Sequence, residues 1–292
     1  MEQLQELKLK ARAKINISLD VLGKRPDGYH EVRMIMQQID LYDEIVIQEI
    51  QQGIRVRSNL DFLPCDEGNL AYRAARLMQQ TYGINKGVEI FIQKQIPVAA
   101  GLAGGSTDAA AVLTGLNQLW NIGASKQELM NVGLKLGADV PFCILGGAAL
   151  AEGIGEKLTA IDGLENVWIV LSKPNLGVST AEVYKNLELE KIEKHPDTEA
   201  IMEAMKNNQL QKVASNLCNV LESVTENLCP IVKDIKRRML EYQALGSLMS
   251  GSGPTVFGIY KDYQKAKNAY DNLSKVYKQT FVVKTYSEVE EL

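Results

Sequence analysis

A chain of 292 residues, 46% apolar and 23% charged, has the material for one large domain or two ordinary ones around a substantial core. A formal net charge of −4 argues against general attraction to nucleic acid or to an anionic membrane, so neither partner is expected and an anionic ligand needs a local site. Four cysteines (Cys65, Cys143, Cys218, Cys229) without CxxC spacing, and only two histidines, make a zinc site improbable. With no signal-type apolar stretch at the start and no long apolar run, a cytoplasmic protein with free thiols is expected.

Residues 7–21 alternate: Leu7, Leu9, Ala11, Ala13, Ile15, Ile17, Leu19 and Val21 are apolar and the positions between them polar. That pattern is a half-buried strand of unusual length, or two strands in one register. Lys14 and Asn16 share its polar face, roughly 6–7 Å apart. A solvated face would account for Lys8, Lys10, Arg12 and Lys14. Asn16 is a poor strand former and asks for a hydrogen-bonding reason. The turn Gly23–Gly28 (GKRPDG) leads back through one or two strands over 32–50. It leaves Tyr29 and His30 at a loop–strand junction, where the tyrosine is either a packed edge residue or a face for stacking a planar base. A polar, irregular piece over 58–68 precedes a helix over 69–82, and the alternation of Val88, Ile90 and Ile92 marks a strand ending at Pro97.

Residues 97–115 (PVAAGLAGGSTDAAAVLTG) form a Gly/Ala-rich loop, after which Ser106-Thr107-Asp108 are expected to open an alanine-rich helix. Such a helix aims its unpaired N–H groups and the positive end of its dipole into the loop, the arrangement that binds phosphate. An ordinary capped helix start is the plainer reading, but the loop is longer and denser in glycine than a cap requires. No Lys-Ser/Thr follows the glycines, so it is not a Walker A loop, and the glycine spacing is not GxGxxG. Ser125 caps the next helix, through Lys135, with Glu128 completing a capping box. Asp139 lies in GADVPF beyond the Gly137 helix end, among Leu136, Val140, Phe142 and Ile144. It is either a turn aspartate bonded to its own backbone or a partly buried carboxylate that needs a cation and can accept a hydroxyl proton.

After Gly146-Gly147 come a strand pair over 148–157 and a strand over 168–173, then a charged surface connection over 187–198. Helices are expected over 199–206, 209–216 and 230–243. The Gly-rich stretch Ser250–Thr255 is either a turn or a concave set of N–H donors for anionic oxygens. A helix over 263–277 and a strand over 281–286 complete the chain. Two α+β domains follow, dividing near residues 155–175 and assigned as 1–160 and 161–292.

Lys14-Ile15-Asn16, Gly101-Leu102-Ala103-Gly104-Gly105-Ser106, Gly137-Ala138-Asp139-Val140-Pro141 and Met249 to Thr255 occur together in that order. In this combination the chain resembles the small-molecule kinases named for galactokinase, homoserine kinase, mevalonate kinase and phosphomevalonate kinase (GHMP kinases). The likeness runs from about residue 8 to residue 283, and Arg25-Pro26-Asp27-Gly28-Tyr29-His30 is similar to the branch whose substrate carries a cytidyl diphosphate. The resemblance implies a two-domain α+β fold, with an N-terminal domain like domain 2 of ribosomal protein S5 and a ferredoxin-like C-terminal domain. It implies transfer of the ATP γ-phosphoryl group to the 2-hydroxyl of a cytidyl-diphosphate-linked methylerythritol in isoprenoid precursor synthesis, with Mg²⁺ required and its ligands undefined.

Carried over by position, Pro97, Val98, Ala99, Ala100, Gly101, Leu102, Ala103, Gly104, Gly105, Ser106 and Thr107 would cradle the triphosphate. Asp139 would be the general base and Lys14 its partner. Asn16, Thr180, Ser252 and Gly253 would hold the substrate. Tyr29 and Tyr184 would sandwich the cytosine, with His30 reading its edge; Tyr184 stands where the branch often has phenylalanine. Homoserine, mevalonate and sugars have no base to stack, so Tyr29-His30 argues against sibling kinases. A monomer or weak homodimer is expected.

Overall fold

A computed structural model describes residues 6–287. Two long strands dominate the first half, β1 (Glu6–Lys24) and β2 (His30–Ile50), paired antiparallel about the Arg25–Tyr29 turn. Their register shifts between Arg12 and Lys14 and again between Asn16 and Ser18. Irregularities of this kind twist a strand and re-aim side chains, and Lys14 to Asn16 sit between the two.

The half-buried strand expected over 7–21 holds only at its beginning. From Ala11 to Val21 every residue of β1 is buried, polar positions included. The alternation reported which side chains meet apolar partners, and it could not report that polar loops cover the opposite face. The solvated-face reading of Lys14 is thereby corrected.

β3 (Ile54–Ser58), α1 (Leu70–Tyr82), β4 (Gly87–Gln93), α2 (Gly104–Leu119), α3 (Lys126–Leu134), α4 (Val140–Leu145), β5 (Ala148–Gly153) and β6 (Lys157–Ala160) complete this half. The far end of β2 pairs with β4 and its near end with β5, giving the path β3-β4-β2-β1 with β5 and β6 alongside. Small side chains let the helices lie close to the sheet. A Cβ at Gly115 of α2 would come within 2.6 Å of Ile47 and 2.7 Å of Leu9. Ala71, Ala74 and Ala75 of α1 pack in the same core as Ile45, Ile47, Ile90 and Ile92.

The chain then passes into a second sheet at β7 (Trp168–Lys173), followed by α5 (Thr180–Lys185), α6 (Thr198–Lys206), α7 (Leu210–Ser215), β8 (Cys218–Asn219), α8 (Glu222–Leu228), α9 (Ile231–Glu241), β9 (Gly246–Met249), β10 (Val256–Tyr260), α10 (Tyr263–Val276) and β11 (Gln279–Lys284). The order β11-β7-β10-β9, all antiparallel, with α9 and α10 as crossovers, is a β-α-β-β-α-β ferredoxin-like unit with α5 to α8 inserted after its first strand. One face of this sheet packs on α9 and α10 through Val170, Val256 and Tyr260. The other packs Ile169, Leu171, Phe257 and Ile259 against Ala13, Ile15, Ile17 and Ile39 of the long hairpin. β8 returns to pair parallel with β1 at Ser18 and Leu19. The two sheets therefore share a core, with both strands of the long hairpin packed against the second sheet. Among the described residues all four cysteines are free, and no helix is long and apolar enough to cross a membrane.

Candidate functional site

The Gly-rich loop takes its shape from three alternate left-handed residues: Ala99 (φ 49°), Gly101 (φ 74°) and Ala103 (φ 58°). An alanine in this region costs on the order of 1 kcal/mol, so the surroundings must hold it there. They do so through the residues between. Ala100 and Leu102 are buried in the shared core, and the Leu102 carbonyl accepts the Lys14 N–H at 3.2 Å.

Helix α2 starts at Gly104, two residues before the Ser106 opening expected from the sequence, because the left-handed Ala103 stands at its N-cap. No side chain caps it and its first turn holds no acidic residue. The first helical bond runs from Thr107 N–H to Ala103 O at 2.9 Å. The N–H groups of Gly104, Gly105 and Ser106 are thus without helical acceptors, as the first turn of any helix must be, and Gly105 is exposed. A helix start of this kind can bind an anion. Thr107 points elsewhere: its hydroxyl is buried and donates to the Arg12 carbonyl at 2.7 Å.

A second loop, Ser250 to Gly253, docks on the first. Ser250 Oγ donates to the Gly101 carbonyl at 3.0 Å and accepts the Asn16 N–H at 3.3 Å. Asn219 of β8 donates to the carbonyls of Met249 and Gly251 at 2.9 and 2.8 Å, and Thr225 Oγ1 donates to that of Ser252 at 3.1 Å. Ser252 Oγ lies 2.8 Å from Thr180 Oγ1, which ties the start of α5 to this loop. The Ser250 and Gly253 N–H groups bond within the turn, to Thr255 O and Ser250 O. The expectation of a concave set of free N–H donors is corrected at these two positions, since a tight turn directs them inward.

Lys14 reaches into the gap between the loops. Its Nζ donates to Asn16 Oδ1 at 2.6 Å and lies 3.9 Å from Asp139 Oδ2. The Lys14 side chain is 6% exposed and that of Asp139 33%, so the pair presents its carboxylate end to solvent. Asp139 stands at the N-cap of α4, a helix missed in the sequence, but makes no capping bond. Asn16 is fully buried, with its amide 3.3 Å from Met34 Sδ. A buried ammonium held by an amide oxygen on one side and a half-exposed carboxylate on the other can polarise and deprotonate a hydroxyl placed between them.

His30 packs on Tyr184 of α5, ring centroids 5.0 Å apart and tilted by 33°. Burial, and then the charge of Lys24, lowers the imidazole from its ordinary pKa and keeps it neutral at neutral pH. Burial, and then the charge of Asp139, pushes the Tyr184 hydroxyl up. Tyr29 is 60% exposed, its N–H bound to Asp27 Oδ1 at 3.1 Å. The structure thus brings together Lys14 with Asn16 and Asp139, Thr180 with Ser252, and His30 with Tyr184.

Sequence reasoning passed over Lys94 and Asp43 and read Asp108 only as part of a helix start, whereas the three form a buried charge cluster beneath the Gly-rich loop. It also passed over Asn219 and Thr225, which pin the second loop. Lys94 lies three residues before Pro97, the one available hint; the others carry no local signal. A cavity of about 650 Å³ lies along α2 among Leu9, Ala111, Thr114 and Ile144, and of the expected site residues only Thr107 lines it.

The chain is similar to known kinases over nearly its whole length. Residues 69–147 match the GHMP kinases N terminal domain and residues 189–279 the GHMP kinases C terminal domain. The 4-diphosphocytidyl-2-C-methyl-D-erythritol kinase of Alkaliphilus metalliredigens (strain QYMF) is 58% identical, over 97% of this chain and 98% of its own. That of Alkaliphilus oremlandii (strain OhILAs) is 56% identical, over 97% and 98%. The crystal structure of a 4-(cytidine 5'-diphospho)-2C-methyl-D-erythritol kinase superposes with a TM-score of 0.84 at 34% identity, covering 97% of this chain and all of that one. On its fold, its paired loops and these identities, the chain belongs to the 4-diphosphocytidyl-2-C-methyl-D-erythritol kinase family of the GHMP kinases.

Proposed function

We propose that the chain transfers the γ-phosphoryl group of ATP to the 2-hydroxyl of 4-diphosphocytidyl-2-C-methyl-D-erythritol, releasing ADP and the 2-phosphate. The observation that carries this reading is the pairing of Asp139 with Lys14, on a strand whose Lys14 N–H bonds the Leu102 carbonyl, two residues before the uncapped start of α2. Phosphoryl transfer asks little covalent chemistry of a protein; alignment and neutralisation of charge do most of it.

The N–H groups of Gly104, Gly105 and Ser106 neutralise the β- and γ-phosphates, replacing a Walker lysine. Asp139 accepts the proton of the attacking hydroxyl as its oxygen bonds to the γ-phosphorus and the bond to the ADP oxygen breaks. Lys14 orients that hydroxyl and offsets the charge gathering at the phosphoryl oxygens. Asn16 fixes the Lys14 ammonium by accepting one of its hydrogens.

Among the described residues no cluster of three or more His, Cys, Asp and Glu could hold a metal by itself. Mg²⁺ arrives largely on phosphate oxygens and water and takes few protein ligands. Ser106, in the first turn of α2, is the residue that would touch it, and the ion would shield the triphosphate charge. Thr107 would not, because its hydroxyl faces Arg12.

On the acceptor side, Tyr29 and Tyr184 stack on the cytosine and the neutral His30 bonds its edge. Thr180, Ser252 and Gly253 hold the remainder. Tyr29→Ala is expected to raise KM for the cytidylated substrate by roughly tenfold, the scale of one lost stacking face, and to leave KM for ATP nearly unchanged. Equal effects on both constants would contradict the stacking role. The function itself is tested by ADP release from ATP against diphosphocytidyl-methylerythritol, mevalonate, homoserine and galactose. Activity with the first alone is expected, and activity with any of the others instead would refute this acceptor.

A further inference from the structure

The second loop is held from behind by groups that the proposed transfer does not use. Asn219 of β8 and Glu222 and Thr225 of α8 stand three residues apart, and all reach the chain between Met249 and Ser252. The Asn219 amide donates to the Met249 and Gly251 carbonyls, and its Oδ1 accepts the Leu221 N–H at 3.0 Å, which fixes how the amide points. Glu222 accepts the Met249 N–H on one oxygen at 2.8 Å and the Lys236 ammonium on the other at 2.6 Å. Thr225 donates to the Ser252 carbonyl. Asn219 and Thr225 are buried, so a carbonyl that loses its donor here is left unsatisfied, which is costly.

The front of the same loop rests on the residue that holds Lys14. Gly251 has φ +57°, and a Cβ there would lie 3.5 Å from Asn16 Oδ1 and 3.2 Å from the Gly101 carbonyl. Asn16 Oδ1 is the atom that accepts the Lys14 ammonium at 2.6 Å. Ser250 Oγ accepts the Asn16 N–H beside it. A contiguous path therefore runs from the Asn219 amide through Gly251 and the Asn16 amide to the Lys14 ammonium. Its far end is fixed to the strand that carries the lysine. Asn219 pairs with Leu19 of β1, and the Val220 N–H donates to the Leu19 carbonyl at 3.0 Å.

We propose that Asn219, Glu222 and Thr225 are positioning residues for phosphoryl transfer. They set the depth of the Ser250–Gly253 loop against Asn16, and thereby the place of the Lys14 ammonium beside Asp139. This inference rests on the Lys14–Asp139 reading above. Small displacements matter at such a site, because a misplacement of about 1 Å can cost about 100-fold in rate. Nucleotide affinity is insulated from the clamp. The Gly-rich loop is held by Ala100 and Leu102 in the core, and the N–H groups at the start of α2 lie beyond it.

Asn219→Ala removes two donors from the loop. Its kcat is expected to fall by about 10–100-fold, while the Kd of a non-hydrolysable ATP analogue changes by less than about twofold. A double-mutant cycle shows whether the loss passes through Lys14. Lys14→Met is expected to lower kcat by about 10²–10³-fold, and adding Asn219→Ala to it should cost less than about threefold more. A residue that only stabilises the fold would lower Tm and leave the kcat of the folded protein intact. Should Asn219→Ala not fold, Thr225→Val takes its place: it keeps nearly the same volume and loses one donor, and Thr225→Ser should restore kcat. Normal kcat in the folded variant, or a loss that adds in full to that of Lys14→Met, overturns the positioning proposal and leaves Lys14 in its role. Normal turnover in Lys14→Met overturns the Lys14 reading, and the clamp's role falls with it.

Discussion

Asp139→Asn is expected to lower kcat by about 10²–10⁴-fold, the range for losing a general base, while changing the affinity for ATP by less than about twofold, well under one tenfold step of binding energy. The substitution isolates chemistry because of where the carboxylate sits. Asp139 makes no cap bond to α4, so asparagine leaves the helix start as it was. Lys14 keeps its 2.6 Å bond to Asn16 and stays in place. What disappears is the proposed acceptor for the hydroxyl proton, 3.9 Å from the Lys14 ammonium. The proposed triphosphate site on α2 is made by backbone groups that the change does not touch. Steady-state kinetics paired with calorimetry on a non-hydrolysable analogue checks both halves, and near-normal turnover would remove Asp139 from the role of base.

Gly101→Ala is expected to cost about 2–4 kcal/mol of stability, combining the left-handed backbone with overpacking against a neighbouring chain segment. For a chain of this size that is a fall in Tm of about 4–12 °C. The added Cβ would lie 2.2 Å from the Ser250 carbonyl and 3.1 Å from the Gly253 nitrogen, both backbone atoms that cannot swing aside. The two loops would have to separate, weakening the Ser250 bonds to Gly101 and Asn16. A weaker Kd for ATP and a higher KM for the acceptor should therefore appear together. Gly28→Ala is the control. Gly28 has φ +88° but nothing within 4 Å of the added atom, so it carries the backbone cost of about 1 kcal/mol without the clash. Equal losses in the two variants would show that loop docking contributes nothing.

Much of the fold was legible because its signals are local. The Ser125–Glu128 capping box is present as read, with both reciprocal bonds formed. The alternation over Val88, Ile90 and Ile92 became β4, and the helix–strand succession after residue 230 became the second half of a ferredoxin-like sheet. The start of α2 was misplaced for a physical reason. Ser, Thr and Asp favour caps through their side chains, whereas here a left-handed Ala103 begins the helix and Thr107 and Asp108 turn inward to Arg12 and Lys94. The short α4, α5 and β8 carry too few residues for a periodicity to show.

The residues of PVAAGLAGGSTD determined by themselves that a helix would open behind a glycine-dense loop, because backbone freedom and an unpaired first turn are properties of a few neighbouring positions. Tertiary structure alone decided what that opening would face. Lys14 is buried although its own sequence marks its strand face as polar, because distant segments such as the Ser250 loop, packed beside Asn16, lie over that face. Asp139 becomes its partner across 125 residues of chain. The Asp43–Lys94–Asp108 cluster exists only where β2, the end of β4 and α2 converge. Local pattern specifies which surfaces must be hidden, whereas buried charge is specified by the packing that brings distant groups within a few ångströms, where removal from water makes each depend on the other.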